Sequence, residues 1–249
     1  LQMEIYLRVF PKLIQKLIHI NEAVFFYPKL KKFYKENLKN KHINIIDVGA
    51  NKGQSIDFFK KVNQKINFNA FEPNKKLFTF LQNKYKTNTN IKLHNFGVSN
   101  LKGELIFYEN ILDETSTLEE LNLESKYLEK KAKVLGVAKE NIIVDNYKVE
   151  VIRLSDFIKE NPNKFFDVLK IDVEGHEFQC LQGLFIDEKI NLPIRFIQLE
   201  IHNDDMYLSN NNHQDIENIL NKNSFEKIIE IKHGFGDFAE LIFENKKQQ

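Results

Sequence analysis

One stretch constrains the fold of this 249-residue chain more than any other: Asp167-Val168-Leu169-Lys170-Ile171-Asp172-Val173-Glu174-Gly175-His176-Glu177. Its first half is short and apolar, with little to mark a wet face, as in a central strand of a parallel sheet. Its second half places Asp172, Glu174, His176 and Glu177 within six positions, at the carboxyl end of that strand. Open α/β sheets bind ligands just outside the carboxyl ends of their strands. The pattern therefore predicts a layered α/β domain with ionisable groups crowding a ligand crevice.

The remaining segments alternate in the way such a domain requires. Ile43 to Val48 reads as a strand, Gly49-Ala50-Asn51-Lys52-Gly53 as a turn, and the residues after it as a helix with Ile56, Phe59 and Val62 inward. Glycines let the backbone bend and approach a ligand closely, and a helix start offers free N–H groups to an anion. The spacing Asp47-x-Gly49-x-x-x-Gly53 is not the Gly-x-Gly-x-x-Gly of dinucleotide sites. A second strand, Ile66 to Phe71, ends at Glu72, where one carboxylate can accept from two ribose hydroxyls. A third strand, 91–96, runs into Gly97-Val98-Ser99-Asn100, placed to flank the base of a nucleoside held by Glu72.

Strands are also expected at 104–108, 148–154 and 194–204, then a helix at 213–222 and two terminal strands, 225–232 and 238–244. The charged segment 111–140 reads as an insertion or a lid over the crevice. Residues 3–40 read as two amphipathic helices, so the chain divides into an N-terminal helical extension, 1–42, and one doubly wound domain, 43–249, with an antiparallel pair at its end.

Composition narrows the partners. Lys+Arg 36 against Asp+Glu 35 leaves a net charge of +1, which argues against a nucleic-acid partner. The one cysteine, Cys180, sits in an apolar helical pattern and reads as core; a lone cysteine fits a reducing, cytoplasmic compartment. No run of about 18 apolar residues suggests a membrane span, and Glu4, Arg8, Lys12 and Lys16 break any signal-peptide core.

With Asp47-Val48-Gly49-Ala50-Asn51-Lys52-Gly53, Phe71-Glu72-Pro73 and Lys170 to Glu177 in view, together with Leu154-Ser155-Asp156-Phe157 and Leu181-Gln182-Gly183, the sequence resembles the FkbM family of S-adenosylmethionine-dependent methyltransferases. The resemblance spans roughly residues 43–204. One departure is Gly97-Val98-Ser99-Asn100, where the family more often has Ala, an aliphatic, Ser and Asp.

The resemblance implies a Rossmann-like class I methyltransferase with a mostly parallel seven-stranded sheet. It also implies an O-methyltransferase acting on a hydroxyl of a sugar, glycan or natural product. On that basis Asp47, Gly49, Asn51 and Gly53 hold the methionine part of S-adenosylmethionine, Glu72 its ribose, and Val98 and Ser99 its base.

Catalytic candidates are Asp172, Glu174, His176 and His202. Asp172, Glu200 and His202 form a metal candidate for Mg²⁺ or Mn²⁺, similar to the acid-rich sites of catechol-type O-methyltransferases. Glu177 reads as a helix-start acid. Two other readings compete. One is an NAD(P)-dependent oxidoreductase on a similar sheet. The other is a non-catalytic methyltransferase-like partner subunit with the N-terminal helices as its interface. The same helices offer a surface for a homo-oligomer.

Overall fold

The computed structural model describes residues 26–39, 42–112, 115–162, 164–187, 192–202, 204–209, 213–232 and 238–248. The first of the two expected N-terminal helices lies outside them. The second is α1, Tyr27–Asn37, with Pro28 in its first turn and Leu30 and Tyr34 buried.

The domain then alternates strand and helix. Its elements are β1 (Ile43–Val48), α2 (Gln54–Val62), β2 (Ile66–Phe71), α3 (Lys75–Tyr85), β3 (Ile91–His94), β4 (Gly97–Val98), β5 (Gly103–Asn110), α4 (Lys126–Leu135), β6 (Ile143–Ile152), α5 (Leu154–Lys159), β7 (Phe166–Ile171), α6 (Glu177–Leu184), β8 (Ile194–His202), α7 (His213–Lys222), β9 (Phe225–Lys232) and β10 (Phe238–Asn245).

Seven strands form one sheet in the order β3-β2-β1-β7-β8-β10-β9. Pairing is parallel from β3 to β8, while β10 runs antiparallel to β8 and β9. The chain leaves β1 towards β2 and later returns to β7 on the other side of β1. That reversal is a topological switch point, where open sheets bind ligands.

The sequence pattern marked β5 and β6 as strands without assigning them a sheet. They pair antiparallel in a separate three-stranded sheet, β4-β6-β5. Their alternating, half-exposed burial suits a small sheet lying over the main one.

Side chains alternate across the main sheet and create two cores. On one face Ile46, Leu169, Ile197, Leu199 and Leu241 pack with α5, α6 and α7 through Phe157, Leu181 and Leu220. On the other, Ile45, Phe68, Val168, Phe196 and Ile242 pack with α1, α2 and α3 through Tyr34, Phe59 and Leu81. Cys180 is buried in the first core, as its pattern predicted.

Towards the carboxyl ends of the strands the second face turns polar. Asp47, Lys170, Gln198 and Glu240 lie there in a row across β1, β7, β8 and β10, covered by α1.

Candidate active site

The turn after β1 and the turn after β7 touch at the switch point. Asp172 N–H donates to the Val48 carbonyl at 3.0 Å, which holds the tips of β1 and β7 together. Gly49 has φ +87, and a Cβ there would stand 1.8 Å from the Asp172 carbonyl oxygen. Only glycine fits that contact.

Asn51, at φ 46, donates its N–H to Glu72 Oε2 at 2.7 Å. Glu72 Oε1 accepts from Asn74 N–H at 2.8 Å, so this carboxylate braces the turns after β1 and β2 together. It is 4 % exposed, yet it lines the cavity these turns enclose. Each carboxylate oxygen can accept more than one hydrogen bond, so a ligand hydroxyl can still be served.

The cavity measures about 270 Å³. Part of its lining is apolar, with Phe71, Phe96, Val98, Phe107 and Leu118 as well as Phe26, Tyr27, Leu30 and Phe58. Its polar lining includes Glu72, Lys170, Asp172, Glu174, Gln198, Glu200 and Glu240. Gly49, Asn51 and Ser55 lie on its wall as well.

Similarity to known proteins converges on the same region. Residues 47–227, well over half of the chain, match the model of the Methyltransferase FkbM domain. The chain belongs to the FkbM methyltransferase family. A curated relative, Methyltransferase 1 of Beauveria bassiana (strain ARSEF 2860), is 33% identical over 153 residues, covering 56% of this chain and 57% of the relative. The chain thus spans little more than half the length of that relative.

Among solved structures, magnesium protoporphyrin IX methyltransferase from Synechocystis PCC 6803 with bound SAM superposes with a TM-score of 0.51 at 11% identity. The match covers 94% of this chain and 82% of that one. At that identity the likeness concerns the fold, which is the Rossmann-like class I methyltransferase fold.

The family's signature residues divide sharply by position. Gly49, Asn51, Glu72 and Val98 line the cavity, as do Asp172, Glu174 and Glu200. Asp47 lies just behind it, fully buried, and neither of its carboxylate oxygens completes a hydrogen bond. Burial raises its pKa to about 6, against the pull of the Lys170 ammonium and the nearby Ser55 hydroxyl.

Gly53 does not line the cavity. It has φ +84, and a Cβ there would strike the Tyr85 ring, whose hydroxyl donates to the Gly53 carbonyl. Ser99 also lies outside. Its hydroxyl meets His176 Nε2 at 2.9 Å, and His176 Nδ1 meets Glu119 Oε1. All three are 9 % exposed or less, and among the described residues none of them faces the cavity.

His202 ends β8, and its side chain lies outside the described residues, so neither its catalytic nor its metal role has a geometry to report. Among the described residues Asp172, Glu174 and Glu200 offer oxygens within 4.8 Å of one another.

The turn itself is tightly held. Glu174 has φ 55; its carbonyl accepts from the Thr117 hydroxyl at 2.7 Å and its Oε2 from Tyr207 at 3.2 Å. Glu177 Oε1 accepts from the N–H groups of Val173 and Gly175, so it closes the turn preceding its helix.

Thr117 and Glu119 come from segment 111–140, which is docked rather than loose. Leu121, Leu128, Ala132 and Ile142 pack on Met206 and Tyr207. Asn122 N–H donates to the Met206 carbonyl, and Ser125 caps α4.

The family departure at Gly97 has a physical reason here: a Cβ would stand 3.0 Å from Val151 and 3.3 Å from Leu118 of that segment. Lys170, Gln198 and Glu240 had no place in the sequence-based site. Their signal is a polar residue interrupting an apolar strand at matching positions.

Proposed function

We propose that this chain transfers a methyl group from S-adenosylmethionine to a hydroxyl oxygen of a sugar, glycan or natural product. The observation that carries the reading is the convergence of the Gly49 turn, Glu72 and the acidic β7 turn on one cavity. The residues fit the donor. The orphaned Asp47 carboxylate waits behind the glycine turn. Glu72 stands at the ribose position, and the Phe96, Val98, Phe107 and Leu118 walls suit a flat base.

Bound S-adenosylmethionine supplies a methyl group already activated by its positive sulfur. The chain's task is therefore alignment and the removal of the acceptor's proton. As the acceptor oxygen bonds to the methyl carbon, the carbon–sulfur bond breaks and the hydroxyl proton must leave. We assign that proton to Glu174. Asp172 is already engaged, because the Lys170 ammonium donates to it at 2.7 Å. Glu174 is pinned in a left-handed conformation that a side-chain-bearing residue adopts only at a cost, a feature that clusters at working sites.

A divalent cation held by Asp172, Glu174 and Glu200 is a second reading, favoured by their mutual distances. Oxygen donors suit Mg²⁺ or Mn²⁺, which would lower the acceptor's pKa. Full activity in EDTA would dismiss it. We place the reaction in the cytoplasm on the strength of the single buried cysteine.

The deciding experiment is calorimetry with S-adenosylhomocysteine. One saturable site is expected, weakened about a hundredfold or more in Glu72→Ala, where a two-hydroxyl clamp is lost. No binding to the unaltered chain ends the proposal. A labelled-methyl screen over sugars, nucleotide-sugars and lipid-linked glycans then identifies the acceptor, and Glu174→Gln should lower kcat while leaving that binding intact.

A further inference from the structure

His176 belongs to the turn that carries Glu174, yet its buried ring lies outside the cavity. Each ring nitrogen has a partner, and the two partners come from distant parts of the chain. Nδ1 meets Glu119 Oε1, and Nε2 meets the Ser99 hydroxyl at 2.9 Å. A carboxylate can only accept, so Nδ1 carries a proton, and in the neutral ring Nε2 accepts from Ser99.

Both partners sit directly behind strips of the cavity wall. Ser99 follows Val98, and Glu119 follows Ser116, Thr117 and Leu118; those four residues line the cavity. The strips meet, because a Cβ on Gly97 would stand 3.3 Å from Leu118. Their backbone anchors lie apart. Ser99 N–H donates to the Ile152 carbonyl of β6 at 3.0 Å, and the Cys180 thiol donates to the Val98 carbonyl at 3.2 Å. Thr117 instead pairs with Tyr108 of β5 through both backbone groups, at 2.8 and 3.1 Å. Since β4 and β5 are opposite edges of the small sheet, the backbone ties the strips to different edges. The imidazole joins them from behind.

The same link reaches Glu174. The Thr117 hydroxyl accepts from Glu119 N–H at 3.0 Å and donates to the Glu174 carbonyl at 2.7 Å. His176, Glu119, Thr117 and Glu174 thereby close a ring of contacts around the β7 turn, in which Glu174 and Gly175 have positive φ. Such conformations persist where the surroundings over-determine them.

We propose that His176 is a positioning residue for the base of the methyl donor: without touching the ligand, its ring registers Val98 against Leu118 and both against the Glu174 turn. The inference rests on the methyl-donor reading above. An imidazole suits the task, since it is rigid and offers a donor and an acceptor on different sides. Without it the strips keep their separate anchors but must be ordered together when a base enters, which weakens binding.

The test is calorimetry with S-adenosylhomocysteine, paired with amide hydrogen exchange. His176→Ala should bind about tenfold more weakly. Its Ser99, Thr117 and Glu119 amides should exchange faster than in the unaltered chain and regain protection when S-adenosylhomocysteine saturates the site. Amides of the central strands β1 and β7 should keep their rates. His176→Asn can still serve Glu119 from near the place of Nδ1 but does not reach Ser99. It should bind about threefold more weakly, with faster exchange confined to Ser99.

Unchanged affinity in folded His176→Ala overturns the proposal. So does faster exchange spread evenly over the central sheet, which marks a general loss of stability. If His176→Ala does not fold, His176→Asn decides by the same two measurements. If neither folds, His176 is a folding residue and the proposal ends. No binding of S-adenosylhomocysteine to the unaltered chain overturns the donor reading itself, and this inference with it.

Discussion

The two faces of the central sheet are built from the same strands and do opposite things. On β7 and β8, Leu169, Ile171, Ile197 and Leu199 point into a continuous apolar core under α5, α6 and α7. Their immediate neighbours Lys170, Asp172, Gln198 and Glu200 point into the cavity beneath α1. One face gains stability by excluding water from carbon; the other holds charges that are costly to bury, each tied to a neighbour.

The two faces should therefore fail differently. Lys170→Ala leaves Asp172, Asp47 and Glu240 without their shared cation, and should cost about 4 kcal/mol in chemical denaturation. Leu169→Ala, one residue away, should cost about 3 kcal/mol through lost burial and a cavity. The contrast sharpens with pH. As the carboxylates protonate, the Lys170→Ala deficit should shrink, while the Leu169→Ala deficit stays constant. Equal pH dependence in both variants would break the distinction between the faces.

A smaller effect isolates one buried acid. Asp47 has its pKa raised to about 6 by desolvation, above its ordinary value near 4. The folded state then binds the extra proton more readily than the unfolded chain. The contribution of this group is greatest below about pH 4 and is lost as pH rises through 6. Asp47→Asn removes the titration. The stability of the natural chain relative to that variant should fall by on the order of 2 kcal/mol between pH 4 and pH 7. A difference that grows with pH would mean that Lys170 dominates and that the carboxylate is held ionised.

Much of this division was legible in the sequence. The Gly49 turn, Glu72 and the Asp172–Glu174 turn each lie within a short segment whose residue types carry the meaning locally, and all three line the cavity. What sequence could not supply was register between distant strands. Gln198 and Glu240 interrupt apolar runs visibly, but only the β8–β10 pairing joins them through a 2.9 Å hydrogen bond.

The same limit explains His176. It reads as a candidate base at a strand tip or as a hydrogen-bonding residue behind one, and its partners, Glu119 from a segment without motifs and Ser99 from the β4 turn, are distant in sequence. The separate β4-β6-β5 sheet escaped notice for a related reason: alternation marks a strand but not the sheet it joins.

The smallest prediction tests how finely the polar face is tuned. Tyr34 sits on α1 with no exposure, its ring packed against Phe59 in the apolar layer and its hydroxyl donating to Gln198 Oε1 at 2.6 Å. Gln198 in turn donates to Glu240 Oε2, so the phenol fixes the amide that faces the acid. Burial, with Glu240 nearby, pushes the Tyr34 pKa up, so the hydroxyl keeps its proton and remains a donor. Tyr34→Phe retains the ring and its packing but leaves the amide oxygen of Gln198 unpaired. The loss should be about 1 kcal/mol, read as a shift in denaturation midpoint at constant slope. A loss as large as that of Leu169→Ala would show that α1 is held mainly through its polar contact. No loss would show that the amide has found another donor, leaving Lys170 alone to hold this face together.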